Sequence, residues 1–513
     1  MAPSSRPDLT VPSALRAAFR RALTYPRTLA LAAGAATVLA FAPFDLFPLP
    51  LFTLALLLFL WGAAAPGAAF KIGWWFGVGF LACGVSWLHI SINQFGNVDT
   101  PLALFFTLLF ILAMALYYGL AGWLGRHALG RRPELAWLVW PSVWILTEWL
   151  RGWFLSGFPW LALGYSQTDS PLAGFVPLLG VYGVSGLLIL GAALLLGAIQ
   201  GGGGRRWIGL ATLIGIWLAG WLLTQVAWTQ PLGEPFKVSL AQANIPQSLK
   251  WDKSMRQMSI DRYLRLTRAH WDSRLVIWPE TAVPAFMHQV WDSVLEPLGE
   301  EARGQGSEVL LGIAALDQDT RQYYNAALVP GTDELYFKRH LVPFGEFMPL
   351  KPLLGPLLAF MEIPMSDFSA GTSEVPPLVR VANHWAGLSI CYEDVFGDEV
   401  LAALPDAAFL VNLSNDGWFG DSLAPRQHLQ IARLRALETG RPLLRATNTG
   451  ISALIGPQGQ VEAQSRPFEE AVVSGLVQPM GGMTPYARLG NGLPVGLSLL
   501  LVGIGLIWGR RPT

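Results

Sequence analysis

Gly387-Leu388-Ser389-Ile390-Cys391-Tyr392-Glu393-Asp394 is a strand-like run that stops at a cysteine and continues into acidic, helix-compatible residues. That pattern predicts a strand-to-helix elbow. Such a turn exposes the sulfur and aims free backbone N–H groups at it, which favours the thiolate. The competing reading is a buried structural cysteine, because free cysteine is among the most buried residue types. The chain has two cysteines, Cys83 and Cys391. That is too few for a disulfide framework or a thiolate metal site.

Outward from Cys391, charged residues and short apolar runs alternate over 228–486. Strand candidates are 236–243, 275–278, 309–315, 323–328, 386–390 and 409–413, with helix-like stretches at 255–270 and 426–438. Strands interleaved with helices predict an α/β fold. Glu280 ends the apolar strand Leu275-Val276-Ile277-Trp278-Pro279. There a partly desolvated carboxylate could serve as general base, or cap a helix N-terminus. Lys338 lies in an aromatic stretch, suited to neutralise an oxyanion or to sit exposed on a strand. Glu346, after Gly345, is either a partner for Lys338, a ligand for a substrate amine, or a surface turn carboxylate.

Further out, the chain is apolar. Of 513 residues, 52% are hydrophobic and 14% charged, against about 25% charged in an ordinary soluble domain. The formal net charge of +0 gives no field that would draw nucleic acid, and none is expected as a partner. Apolar stretches at 28–44, 49–65, 70–91, 101–124, 134–151, 172–198, 206–227 and 487–508 read as membrane spans. Three domains follow: an N-terminal bundle of about seven helices over 1–227, a catalytic domain over 228–486, and a final span with a short tail over 487–513. Arg20, Arg21 and Arg27 precede the first stretch, Arg131 and Arg132 follow the fourth, Arg205 and Arg206 the sixth, and Arg510 and Arg511 the last. The alternation puts both termini in the cytoplasm and 228–486 on the opposite side. The N-terminus reads as an uncleaved first span rather than a cleaved signal.

Glu280, Lys338 and Cys391 occur in that order along the chain. In this the sequence resembles the nitrilase superfamily, through Trp278-Pro279-Glu280, the Lys338 segment and Ile390-Cys391-Tyr392-Glu393. Within it the chain resembles the apolipoprotein N-acyltransferase branch, over nearly its whole length. The specific marks are the motifs that run through 242–252, 341–346, 391–393 and 415–421. The resemblance implies a multi-span helical bundle joined to an α/β nitrilase-like domain, an α-β-β-α sandwich. It implies transfer of an acyl chain from a phospholipid, with phosphatidylethanolamine expected, to the amine of the diacylglyceryl-cysteine of a bacterial apolipoprotein. It assigns Cys391 as nucleophile, Glu280 as general base and acid, and Lys338 as oxyanion stabiliser. It marks Trp251, Glu346, Tyr392 and Glu393 as further functional positions. It implies a monomer in the bacterial inner membrane, with the catalytic domain periplasmic and no cofactor.

Other features carry weaker expectations. The broken, apolar, Pro-rich segment 349–365 reads as a lid or arm beside the site, or as a short piece of the core. Trp418 and Phe419 line an acyl pocket, rest on the membrane or simply pack. His428 reads as a cap or packing residue, and with no second histidine at ligand spacing no metal is expected. Glu148 and Arg151 read as a mutual or snorkelled pair at a span end, or as a headgroup contact. Two other functions use the same features differently. One is a membrane-tethered amidase or nitrilase needing water access and a small pocket. The other is a channel or transporter with a soluble receptor domain, which the scarcity of ionisable residues in the spans disfavours.

Overall fold

The structure is a computed structural model that describes residues 23–96, 98–250, 252–349 and 367–509. The chain forms two compact units. One is helical and is built from residues up to Ser86, Phe106–Val226 and the residues from Asn491 on; the other comprises Trp87–Phe105 and Ala227–Gly490.

In the helical unit each apolar stretch contains a helix: Pro26–Thr37, Leu49–Gly62, Pro66–Gly84, Leu116–Leu129, Ala136–Trp153, Val176–Gln200, Gly204–Leu223 and Gly492–Trp508. Length and composition are more selective than the apolar pattern. Among the described residues, Thr100–Leu129, Pro171–Gln200 and Gly204–Leu223 are long and apolar enough to cross a membrane. Pro66–Gly84 taken with Leu88–Phe95 is a fourth candidate, and Pro26–Ala40, Leu49–Gly62 and Gly492–Trp508 are shorter apolar helices. The stretches at 28–44 and 49–65 fall short because Pro43 and Pro48 follow the first helix and precede the second. Small residues let Pro26–Thr37 and Pro66–Gly84 approach closely. A Cβ on Gly34 would lie 2.0 Å from the Phe76 carbonyl oxygen, and one on Gly79 2.1 Å from that of Leu31.

Glu148 and Arg151 do not snorkel. Both are buried on Ala136–Trp153. Arg151 Nη1 donates to the carbonyls of Phe158 (2.9 Å) and Trp160 (2.6 Å). Glu148 Oε1 accepts from Trp144 Nε1 and from the Leu163 amide, both at 2.9 Å. The two charges fasten the irregular chain 158–163, whose backbone groups need partners once buried.

Besides a two-stranded pairing of Gln230–Pro231 with Met480–Gly481, the other unit has two large sheets. The strands are β1 Phe236–Gln242, β2 Leu275–Ile277, β3 Val283–Phe286, β4 Glu308–Leu316, β5 Tyr323–Leu328, β6 Leu335–Phe337, β7 Leu378–Val381, β8 His384–Ile390, β9 Phe409–Ser414, β10 Leu443–Thr447, β11 Ala453–Ile455, β12 Val461–Gln464 and β13 Ala471–Val477. One sheet runs β13-β1-β2-β4-β5-β6, with β3 also on β4; the other runs β12-β11-β10-β9-β8-β7. The central pairs β1/β2, β2/β4, β8/β9 and β9/β10 are parallel. Period-2 alternation sends Val238, Leu240, Leu275 and Ile277 from one sheet, and Leu388, Ile390, Val411 and Leu413 from the other, into one shared core. The opposite faces bury Ala241, Val276 and Trp278 under the helix Arg256–Arg268, and Leu410 and Leu443 under Ala424–Thr439. The result is the four-layer α-β-β-α sandwich. Helix Ala424–Thr439 starts with Pro at its first turn and ends at left-handed Gly440 (φ 64°), as its capping chemistry requires.

Trp87–Phe105, read from the sequence as part of the 1–227 bundle, groups with the sheets. Trp87 Nε1 donates to Gln427 Oε1 at 3.2 Å. Trp87 also meets Phe419 edge-on at 4.7 Å between ring centroids, and Phe95 meets Trp418 at 4.6 Å.

Candidate active site

Three chain crossings bring Glu280, Lys338 and Cys391 together. Each follows a strand: Glu280 two residues beyond the β2 extension at Trp278, Lys338 directly after β6, Cys391 directly after β8. Side chains at such strand ends gather along one edge of an α/β domain.

Cys391 opens a short helical turn, Cys391–Val395, with φ 53°. A left-handed backbone costs a non-glycine residue of the order of 1–3 kcal/mol, so the surroundings must impose it. Glu393 does much of this. Its carboxylate accepts from the amides of Ile390 (2.6 Å), Arg339 (2.6 Å) and His340 (3.1 Å) and from Tyr336 Oη (3.0 Å). One side chain thus ties the cysteine turn to the segment that carries Lys338. From β9, Asn412 Nδ2 donates to the Cys391 carbonyl at 3.1 Å and to Ser389 Oγ at 3.0 Å.

The elbow is as expected, but the exposed thiolate is not. Cys391 is 7% exposed. Burial first, then the charge of Glu280, push its thiol well above the usual range; Lys338 and the Ser414 hydroxyl oppose them only in part. Burial and the Glu280 charge both favour the neutral thiol over the thiolate.

Glu280 leads into a turn and β3, not into a helix, so it is no helix cap. Its Oε1 accepts from Asn325 Nδ2 at 2.7 Å. Its Oε2 is buried and, among the described residues, has no hydrogen-bond partner. Burial raises its pKa above the carboxylate range, and Glu346 adds to this, while Lys338, Lys250 and Asn325 pull it down.

Lys338 is 1% exposed, which removes the reading of a surface lysine. Its Nζ stands 2.9 Å from Glu346 and 3.7 Å from Glu280 Oε1. Burial alone would disfavour the ammonium; Glu346, then Glu280, outweigh it and hold Lys338 charged. Glu346 Oε2 also accepts from the Val342 amide at 2.9 Å, so the turn carboxylate is anchored rather than on the surface. Tyr392 packs edge-on against Phe396, with centroids 5.0 Å apart. Trp418 packs on Phe95, as given above. Trp251 and all but the first residue of 349–365 lie outside the described residues.

Several residues at the site were not singled out from the sequence. Asn325, an amide inside β5, bridges Glu280 and Glu346 (3.2 Å to the latter). Its isolation among Tyr and Ala in a strand was the available signal. Tyr336 holds Glu393. Lys250 donates to the Glu280 carbonyl at 3.0 Å, and nothing in its polar loop signals burial. His428 is no cap: it lies buried between Asp416 (3.0 Å) and Asp394 (2.8 Å), with Arg445 2.9 Å from Asp416. Arg445 and then His428 hold the Asp416 carboxyl well below the usual range against its burial. Among the described residues no group of three or more His, Cys, Asp or Glu side chains is arranged to hold a metal ion.

A buried carboxylate with one free oxygen, an ammonium shared by two carboxylates and a thiol on a strained turn make a proton-transfer and anion-stabilising set suited to acyl chemistry at sulfur. Comparison with known proteins bears on the family. The family described as apolipoprotein N-acyltransferase N-terminal domain matches residues 33–194, and carbon-nitrogen hydrolase matches residues 237–484. A Methylococcus capsulatus protein called apolipoprotein N-acyltransferase is 46% identical over 486 residues, 94% of this chain and 96% of that one. One of the same name from Nitrosomonas europaea is 44% identical over 496 residues, 94% and 98% of the two chains. The crystal structure of a Saccharomyces cerevisiae member of the nitrilase superfamily matches at 17% identity and a TM-score of 0.36, over 48% of this chain and 92% of that one.

Proposed function

The chain belongs to the apolipoprotein N-acyltransferase family, a membrane acyltransferase, and on that premise we propose that it moves an acyl chain from a phospholipid through a thioester on Cys391 to a lipoprotein amine. Phosphatidylethanolamine is the expected donor. The acceptor is the α-amino group of the diacylglyceryl-cysteine that begins a bacterial apolipoprotein.

The observation that carries this reading is the buried Oε2 of Glu280, without a hydrogen-bond partner among the described residues, within electrostatic reach of the Cys391 thiol that burial pushes up. Glu280 takes the thiol proton as sulfur attacks the ester carbonyl. The oxyanion that forms is stabilised by Lys338 and a backbone N–H. As the intermediate collapses, Glu280 gives its proton to the departing lysophospholipid oxygen and the thioester is left on Cys391. The acceptor amine then attacks the thioester. Glu280 removes the amine's proton, the C–S bond breaks, and the thiol is restored. One hard exchange becomes two easier ones with ping-pong kinetics. Trp251, Tyr392 and Trp418 are assigned to the substrate-binding surroundings, with Glu346 and Glu393 supporting the triad.

The same reading makes the enzyme a monomer of the bacterial inner membrane. Both termini are cytoplasmic, and the domain over 228–486, between the bundle of 1–227 and the last span of 487–513, is periplasmic; the distribution of Arg residues supports this. The test is the intact mass of the purified protein after incubation with phosphatidylethanolamine. Wild type should gain one acyl chain and lose it when a diacylated lipopeptide is added. Cys391→Ala should gain none; an acyl adduct on Cys391→Ala would overturn the assignment, as would release of free fatty acid in place of acylated lipopeptide.

A further inference from the structure

Lys250 is 2% exposed, yet it is not part of any ion pair among the described residues; its Nζ donates to the main-chain carbonyl of Glu280 at 3.0 Å. An ammonium carries three N–H donors, and burying one without a close carboxylate is costly. The neighbourhood accounts for it. Glu280 and Glu346 bring two negative charges, Lys338 one positive, and the thiol of Cys391 none. Lys250 adds a second positive charge beside that of Lys338. Its field acts on both reacting groups: the Glu280 carboxylate favours its protonated form, and the Cys391 thiolate does so once formed.

We propose that Lys250 is a positioning residue for the acyl-transfer site: it pins Glu280 by its carbonyl and supplies the second positive charge that keeps the Glu280 carboxylate ionised and able to take the Cys391 proton. This rests on Glu280 and Cys391 being the base and nucleophile of the proposed function.

The pinning has two sides. On β4, a Cβ at Gly312 would lie 2.6 Å from the Pro279 carbonyl oxygen and 2.7 Å from Glu280 Cα, so the sheet presses on this backbone directly. Lys250 holds the following carbonyl, and Thr281 then turns through a left-handed φ of 44°. The glutamate is thereby fixed at a backbone kink. The titratable groups that face this assembly are Glu280, Glu346, Lys338 and Cys391, with Glu393 acting through Lys338 and Asp416 through Cys391. Burial draws Lys250 down to about 8 against the pull of Glu280 and Cys391. It is therefore charged at neutral pH and loses that charge on mild alkalinisation.

The test follows the alkylation rate of Cys391 by iodoacetamide on the full chain in detergent, read at that residue by peptide mass spectrometry so that Cys83 does not interfere. Removing the Lys250 charge raises the pKa of both Glu280 and the thiol. Lys250→Met should alkylate about tenfold more slowly at neutral pH and recover as the pH rises, with Lys250→Arg close to wild type. An unchanged rate, or an equal loss at every pH, would overturn the proposal. If Lys250→Met does not fold, Lys250→Arg still decides. Wild type should show an inflection near pH 8 that the arginine variant lacks, and superimposable profiles would count against the idea. Alkylation needs no lipid, so absence of an acyl-enzyme in wild type would sink the phospholipid reading and leave this result standing.

Discussion

Lys338 Nζ lies 2.9 Å from Glu346, nearer than the 3.7 Å that separates it from Glu280. The ammonium is shared unequally, and the larger share goes to Glu346, to which the proposed reaction gives no proton-transfer step. Glu346 raises the pKa of Glu280 both by its own charge and by occupying Lys338. With Glu346→Gln, Lys338 turns fully to Glu280, whose pKa falls. The acid limb of acyl-enzyme formation should then move to lower pH, while the plateau rate drops about tenfold or more because the base is weaker. Single-turnover acylation measured against pH checks both signs. A plateau equal to wild type would show that Glu346 is only a turn anchor.

Glu393 should prove nearly as sensitive as the triad without touching substrate. It accepts from four donors, and burial pushes it up to about 7 against Lys338 and the amides of Arg339 and Ile390. Glu393→Gln must turn an NH2 group toward one of those amides, at a cost of about 1–3 kcal/mol. The turn at Cys391 should loosen, and acylation should fall about 10- to 100-fold with little change in apparent lipid affinity. The ratio of kcat to KM effects tests this, since a lost substrate contact would act on KM instead.

The central strands and the flanking helices were legible from alternation and apolar runs: β1, β4, β5, β8 and β9 lie where the pattern put them, and three-residue β2 was marked by the apolar run that leads into Trp278. The short strands β3, β6 and β7 were not, since three or four residues carry no period. β12 alternates between half-buried and exposed residues, so its pattern lacks the core signal. At the site, the order Glu, Lys, Cys was visible. Its electrostatics were not, because they depend on side chains distant in sequence. Asn325 reaches Glu280 across 45 residues, Tyr336 reaches Glu393 across 57, and His428 is placed by Asp394 and Asp416 together. A sequence pattern marks which faces are buried; it does not show which polar groups meet once they are.

His428 gives a pH-dependent stability with a definite sign. Burial and Arg445 oppose its charge, but Asp394 and Asp416 prevail and raise its pKa. A histidine raised in the folded state contributes stability that is full below its unfolded value and is lost as pH climbs through the folded value. The melting temperature in detergent should therefore decline on the alkaline side in wild type, and this part of the decline should vanish in His428→Leu. That variant should also be less stable by about 3–5 kcal/mol at neutral pH, since it strands two buried aspartates on one arginine. A melting curve as pH-dependent in the leucine variant as in wild type would contradict the assignment.

The buried charges of the helical unit should be coupled more strongly than a surface pair. Glu148 and Arg151 each satisfy backbone groups of 158–163, and each is tolerated in the bundle partly because the other offsets its charge. Arg151→Met frees the carbonyls of Phe158 and Trp160 and also leaves Glu148 as a lone buried carboxylate. Glu148→Leu leaves the arginine alone in turn. Replacing one member of a buried pair is the costly step, whereas replacing both removes the uncompensated charge. In the double variant the loss of thermal stability should be smaller than the sum of the two single losses, by about 1–3 kcal/mol of interaction energy. Strict additivity would show that the two side chains act only through their separate hydrogen bonds to the loop.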